Sequence, residues 1–400
     1  MKEWKIYKIA DIVDEISMGP FGSNIKVENF ISEGIPVLNG SNLQGYRLNE
    51  DSFNYVSEEK ANSLGKANAY RGDVVITHRG TLGQIIYIPN DSKYERYVIS
   101  QSQFRLKLKK EIVRPDFLVY YFHTAIGQHK ILMNASQVGV PALARPTSTF
   151  REVTLPIPPM DFQNKIMDIL LSIDEKLTIN KQINDNLELQ AQNIFNHYFI
   201  DNPIELGSYS EGVLTDIAVY LNGLAMQKFR PEGSDFGLPV LKIKELGQRS
   251  CDNNSDRCSS LIKEEYIVND GDVIFSWSGT LLVDLWCGGK CGLNQHLFKV
   301  TSDTYPKWFY YFWTKHHLDN FIRVAKDKAV TMGHIKRTEL EKANIIVPTQ
   351  DKLSEINRIM SPIITKIINH RVEMRKLAQL RDSLLPQLMS GELKINEIDC

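Results

Sequence analysis

The residues best suited to chemistry in this chain are hydrogen-bond donors and acceptors gathered around two short phrases, "GDVVITHRGTL" at 72–82 and "GDVIFSWSGTL" at 271–281. In the first, His78, Arg79 and Thr81 follow a β-branched run; in the second the same places hold Trp277, Ser278 and Thr280. An arginine fork can take a guanine edge bidentately, asparagine and glutamine match adenine, and hydroxyls serve several acceptors. Groups of this kind recur at Lys26, Asn39, Ser41, Asn42, Gln101, Ser102 and Arg145 in the first half. In the second half they are Lys242, Lys244, Asn294, Gln295, His334, Lys336 and Arg337. Together these types point to non-covalent reading of a nucleic-acid edge, and the shared glycines, Asp73 and Asp272 to turn formation.

Catalysis finds no comparable support. No GxGxxG follows a strand and no GxxxxGK[ST] occurs, so a Gly-rich phosphate cradle has no candidate. An amino-methyltransferase needs acceptors and an aromatic around a flipped base; Asn202-Pro203-Ile204 lacks the second proline and the aromatic. Asp116, after Pro115, has no acidic-x-Lys partner for a nuclease. Cys251, Cys258, Cys287 and Cys291 could in number close a zinc site. Their spacings of x6, x28 and x3 fit no standard ribbon, and the first half has no cysteine. They read as buried free thiols. The expectation is a chain with no catalytic residue, no metal and no cofactor of its own.

Composition sets the outer bounds. With 400 residues, 24% charged and 42% hydrophobic, the chain is long enough for two or three globular domains. No apolar run approaches the roughly 18 residues of a membrane span. The opening "MKEWKIYKIADIVDEI" has no apolar block ahead of a small-residue cleavage site, and five cysteines leave an odd count, so a cytoplasmic protein is expected. A net charge of -1 argues against indiscriminate adhesion to nucleic acid and leaves room for a local basic surface.

The elements that must position these residues are themselves repeated. "IADI" (9–12) returns as "LTDI" (214–217), "GIPVL" (34–38) as "GLPVL" (237–241), and "SQSQFRL" (100–106) as "NQHLFKV" (294–300). "YYF" recurs at 120–122 and 310–312, and "PIPPMD" (156–161) lines up with "IVPTQD" (346–351). The same order with slowly drifting offsets is the signature of a tandem duplication whose surface loops differ in length. Within each copy, short β-branched runs bounded by turn residues predict strands. Helical spacing at 117–129 and at 308–323 predicts one short helix per copy.

The last quarter of each copy changes texture. Ile166, Leu170, Ile173, Leu177, Asn180, Asn184 and Leu187 step by four and three, and Ile356, Met360, Ile363, Ile367, His370, Leu377 and Leu384 repeat the seam 190 residues later. Each seam follows a proline, Pro159 or Pro348, with Asp161 or Asp351 in the first turn and Thr349 as a candidate N-cap. The first helix should run to about Phe199, on the order of 57 Å. Two such helices in a chain of order domain, helix, domain, helix must run antiparallel. A seam centred near 182 sets Asn184 against His370 and Asn180 against Met374, a polar layer that pins register. Ile169, Ile179 and Ile183 lie off the seam, as candidate contacts for partners.

The expected fold is therefore α+β. Two mixed, strand-rich domains, 1–158 and 201–348, are separated by a pair of long antiparallel coiled-coil helices, one at 159–200 and the other, with a C-terminal tail, at 349–400, in a pseudo-twofold internal duplication.

These words also carry a family resemblance. The twin GDV phrases, "NQHLFKV", "TMGHIKRTELEKANIIVP", "NKQINDNLELQAQNIF" and the closing "LRDSLLPQLMSGEL" at 380–393 resemble the DNA specificity subunit of type I restriction-modification systems, over essentially the whole chain. The resemblance implies two target recognition domains, each reading one half of a bipartite asymmetric site in double-stranded DNA. It implies helices that hold them apart, set the spacer and dock modification subunits, two of them expected. Those subunits would bring S-adenosylmethionine and the catalytic residues, and restriction subunits would bring ATP-driven nuclease activity. "VGVPALARPTSTF" (138–150) and "VTMGHIKRTEL" (330–340) end the two domains differently, so no role passes between them there. The rival expectation is a duplicated coiled-coil adaptor that binds protein only.

Overall fold

In each half the GDV phrase closes a tight turn and launches the most buried strand. Gly72 and Gly271 sit at φ 88° and 87°, where a side chain would be strained. Asp73 accepts the Tyr70 backbone N–H and pairs with Arg105 at 3.1 Å; Asp272 accepts that of Asn269 and pairs with Lys299 at 3.0 Å. The expected turn formers are thus anchored to the neighbouring strand by a buried or half-buried cation. The strands that follow, Val74–Thr77 and Val273–Ser276, have no exposed residue. A strand covered on both faces is apolar throughout. Val74 and Ile76 enter one core and Val75 another, as Val273 and Phe275 are divided from Ile274.

This computed structural model describes residues 4–136, 139–327 and 333–393. The chain forms two compact units: one runs to Asp174 and resumes at Leu380, the other is Glu175–Gln379. In the first, a four-stranded sheet has the order Val13–Met18, Gln103–Leu108, Val74–Thr77, Ile85–Tyr87. A second sheet has the order Asn54–Val56, Ile35–Val37, Arg96–Val98, Asn68–Tyr70, and Lys5–Lys8 pairs with Thr154–Ile157. The first unit's further antiparallel pair, Ala135–Ser136 with Ala142–Leu143, has no counterpart among the described residues of the second unit, which repeats the order of the other three sheets. Its sheets run Val219–Asn222, Leu297–Thr301, Val273–Ser276, Leu282–Leu285 and Arg257–Cys258, Leu238–Leu241, Cys291–Leu293, Ile267–Val268, and Tyr209–Val213 pairs with Asn344–Pro348.

Where one short helix per copy was expected, there are two: Pro115–His123 with Ala125–Leu132, and Lys307–His316 with Leu318–Asp327. The break in the first has a local cause. Thr124 is extended, and its hydroxyl caps the next helix by accepting from the Gly127 N–H at 3.0 Å.

The long helices span Met160–Asn196, closing in a π turn at His197–Asp201, and Gln350–Ser390. The Thr349 hydroxyl accepts the Lys352 N–H, as a cap should. Each helix gives one stretch to each unit. In the first unit Ile166 and Leu170 bury beside Leu385, Leu388 and Met389 in the strand domain's own core. In the second, Ile356, Met360, Ile364 and Ile367 do so with Ala191 and Phe195. The seam is thus shared between the partner helix and the strand domains. Ile364 and Leu385 are buried where Ile363 and Leu384 were expected, and the latter two are half-buried. Straight 3.6-residue helices drift about 20° per heptad from a strict seam, which accounts for the one-residue slip. Ile173 is buried, and Leu177, Leu187, His370 and Leu377 are half-buried.

Within the second unit the polar layer forms. Asn180 Nδ2 donates to Glu373 Oε2 at 2.9 Å, and Asn184 Nδ2 to the Ile367 carbonyl at 3.3 Å. Rising numbers on one helix meet falling numbers on the other, so the pair is antiparallel, within a turn of the expected register. Both asparagines are buried, which makes a slipped register costly.

Candidate nucleic-acid interface

Strand register decides where the polar residues go. In the first unit Met18 lies opposite Phe104, Thr77 opposite Gln103, and Ile76 opposite Ile85. The loop leaving Met18, the loop entering Gln103 and the 78–84 loop therefore share one end of the sheet. Backbone bonds tie in the rest: Gly19 N–H donates to the Gln103 carbonyl, His78 N–H to Ser102, Gly80 N–H to Pro141 and Leu143 N–H to His78, all at 2.8 Å. Gln84 Nε2 donates to the Gly40 carbonyl at 2.9 Å, drawing in the 39–42 loop. Residues scattered over 19–145 of the sequence converge on one edge, where Ser41, Arg79, Thr81, Gln101 and Arg145 are exposed; Lys26, also exposed, pairs with Glu28 at 3.4 Å.

The second unit builds the same end. Ser276 lies opposite Leu297 and Leu282, and Asn222 opposite Phe298. Gly279 N–H donates to the Gly333 carbonyl at 2.9 Å, Ile335 N–H to Trp277 at 3.1 Å, and Asn294 N–H to Leu241 at 3.2 Å. Here Lys244, Thr280, His334, Lys336 and Arg337 are exposed. Beside them a cavity of about 430 Å³ is lined by Gln227, Arg230, Lys242, Asp256, Arg257 and Asn294. Asp256 is held below the usual carboxylate range by the Lys242 ammonium 2.5 Å away.

Several expected readers are spent on building the loops. Asn42 is 1% exposed, and its amide donates to the carbonyls of Asn49 and Ser52 at 3.0 Å. Ser278 and Asn294 are buried, Asn294 in the wall of that cavity. Trp277 is half-buried, its Nε1 donating to Asn222 Oδ1 at 3.0 Å and its ring lying among His296, Phe298 and His334. His78 Nε2 donates to the Gln101 carbonyl at 3.1 Å; burial lowers its pKa, so the ring is neutral at pH 7 and acts as a strut. Asn39 accepts from the Ser41 N–H and hydroxyl, a self-contained Asx turn. Ser102 and Gln295 are half-buried, and Lys244 stands 4.0 Å from Asp252.

Arg145 is held differently. It is one of two non-glycine residues with positive φ among the described residues, at 45°, just ahead of the Pro146–Arg151 helix. Such strain persists where surrounding structure imposes it, and it clusters at functional sites. Sequence reasoning missed Phe21, Gln227 and Arg230, which stand on the loops leaving the first sheet strand of each unit. The Gly-Pro-Phe-Gly punctuation at 19–22 was the available signal.

Other groups take structural roles. Asp116 pairs with Arg114 at 2.6 Å. Cys251, Cys258, Cys287 and Cys291 are free; Cys251 is half-buried and the other three are buried, with burial pushing the Cys287 thiol up to about 11. Among the described residues no group of three His, Cys, Asp or Glu is arranged to hold a metal, and no helix is long and apolar enough to cross a membrane.

Known proteins share this arrangement. Residues 1–189 and 211–377 match the family described as type I restriction modification DNA specificity domain, so the match itself is double. The chain is 25% identical to the MjaIX type I restriction enzyme specificity subunit of Methanocaldococcus jannaschii, over 99% of this chain and 95% of that one. It is 21% identical to the HindI specificity subunit of Haemophilus influenzae, over 98% and 100%. The crystal structure of the type I restriction-modification S subunit from M. genitalium superposes with a TM-score of 0.61 at 14% identity, covering 96% of each chain, which shows a common fold. With a double domain match spanning most of its length and a repeated strand topology, the chain belongs to the type I restriction modification DNA specificity family.

Proposed function

We propose that the chain is the non-catalytic, sequence-reading component of a type I restriction-modification complex, each unit reading one half of a bipartite site in double-stranded DNA. The observation that carries this reading is the twice-built loop end. One scaffold of turns and buried strands carries different letters at corresponding places, Thr77-His78-Arg79 against Ser276-Trp277-Ser278, so that Arg79 is exposed where Ser278 is buried. An unchanged frame with exchanged edge residues is what two unlike half-sites require. Lys26, Ser41, Arg79, Thr81, Gln101 and Arg145 in the first unit and Lys244, Thr280, His334, Lys336 and Arg337 in the second are the readers that remain exposed.

Two modification subunits would supply S-adenosylmethionine and the methyl-transfer residues, and restriction subunits ATP-dependent cleavage, in the cytoplasm. Ile179 and Ile183, one turn apart on the first long helix, are 42% and 39% exposed, and Leu189 is 59% exposed. Apolar side chains left open on a helix suit a partner surface. Ile169 does not belong with them, since it packs against the first unit's core.

The test is one substitution per unit, assayed as the assembled complex on a randomised duplex pool. Arg79→Ala should relax one half-site by about 1–3 kcal/mol, and Arg337→Ala should act on the other half alone. Equal weakening on all sequences would reassign either residue to phosphate contact. A complex with no sequence preference at all would favour the protein-binding adaptor.

A further inference from the structure

The loop that leaves Met18 holds an aromatic ring out to solvent. Phe21 is 84% exposed, yet its backbone is among the most constrained at that end of the sheet. A Cβ on Gly19 would fall 1.9 Å from the Ser100 carbonyl oxygen, and one on Gly22 would fall 2.1 Å from Gln101 Oε1. Gly19 is therefore pressed against the backbone of the 100–103 loop and Gly22 lies against the Gln101 side chain, with Phe21 between them. Gly19 N–H donates to the Gln103 carbonyl, and the Phe21 carbonyl accepts from the Asn24 N–H, both at 2.8 Å. Pro20 is buried and stiffens the same turn. A ring displayed on a fixed turn has already lost the freedom that binding would cost it.

Its surroundings indicate what it meets. Met18 and Val27, in the same segment, are also exposed, as are Arg79 and Gln101 on the same end, while the exposed Lys26 pairs with Glu28 at 3.4 Å. An apolar wedge flanked by cations and amides is the arrangement with which proteins prise apart a base step while holding the backbone. In the second unit Gly223 takes the place of Gly19: its N–H donates to Leu297 at 3.0 Å, and a Cβ there would fall 2.2 Å from the Asn294 carbonyl oxygen. Two residues on, at the place of Phe21, stands Ala225.

We infer that Phe21 inserts between adjacent base pairs of the half-site read by the first unit, unstacking that step. The inference rests on the DNA-reading role proposed above, and its test separates the two. Duplexes are selected from a random pool by the full chain assembled with its modification subunits. 2-Aminopurine is then placed at each position of the selected site in turn. Fluorescence should rise at one step of the half-site read by the first unit. Phe21→Ala should abolish the rise and weaken binding about tenfold, while Phe21→Leu, still an apolar wedge, keeps most of both. Unchanged fluorescence and affinity with Phe21→Ala, in a complex that still selects its site, would overturn the wedge alone. Loss of a protein subunit in place of DNA affinity would overturn it too, by assigning the ring to a protein contact. A wild-type complex that selects no sequence would sink the DNA-reading role and the wedge with it.

Discussion

Arg371→Ala should destabilise the second unit by about 3–5 kcal/mol, the cost of stripping one member from a buried ionic cluster. Arg371 Nη1 donates to Asp284 Oδ1 and to the Leu285 carbonyl, each at 2.8 Å, and Nη2 donates to Glu188 Oε1 at 2.6 Å. The arginine side chain is 8% exposed and that of Asp284 6%. Its two carboxylates hold its pKa well above the ordinary value despite burial. One guanidinium thus joins both long helices to the strand Leu282–Leu285. Removal leaves Glu188 without that partner and Asp284 with the Leu285 N–H at 2.8 Å and the more exposed Arg249, 2.6 Å away. Arg371→Lys should recover less than half of the loss, because an ammonium cannot reproduce the planar fork. Four of the five tryptophans, Trp277, Trp286, Trp308 and Trp313, lie in the second unit, so tryptophan fluorescence during urea unfolding reports it selectively. A midpoint unmoved by Arg371→Ala would show that the cluster fixes geometry without contributing stability.

That cluster illustrates what sequence could and could not reveal. The duplication, the strand-rich texture and the two long helices were legible because each rests on a local pattern: repeated words, turn punctuation, and a four-three seam. Glu188, Asp284 and Arg371 lie 96 and 87 residues apart in turn, and no local pattern links them. The same limit governs the interface. Which loops share an edge follows from strand order, and the repeated words marked those loops correctly. Which side chains remain available depends on how each loop consumes its own donors. Asn42 staples its loop, His78 braces Gln101, and Ser278 is buried beneath its neighbours, whereas Arg79 and Arg145 stay exposed. Phe21 shows the converse. A hydrophobic letter in a glycine-rich loop reads as core until strand pairing places it outside.

Inserting one heptad into both long helices should shift the preferred spacer between half-sites by about 3 base pairs. At 1.5 Å per residue each helix lengthens by about 10 Å, against roughly 34 Å for a DNA turn of 10 to 10.5 base pairs. The insertion points follow from the two units, whose boundaries fall between Asp174 and Glu175 in the first helix and between Gln379 and Leu380 in the second. On one side of them Asp174 pairs with Arg381 at 2.8 Å; on the other Asn180 bonds Glu373 at 2.9 Å. Lengthening both helices there leaves each unit's internal contacts intact. It also turns one unit relative to the other, because seven residues are not a whole number of 3.6-residue turns, so affinity should fall even on the best new spacer. Lengthening only the first helix is a different experiment. The Asp174–Arg381 and Asn180–Glu373 contacts would then be joined by stretches of unequal length in the two helices. One must break, and site-specific modification should be lost. Assay of the assembled complex on a library of spacer lengths distinguishes the cases: an unchanged preferred spacer after the double insertion would leave the helices as a docking surface with no role in measuring DNA.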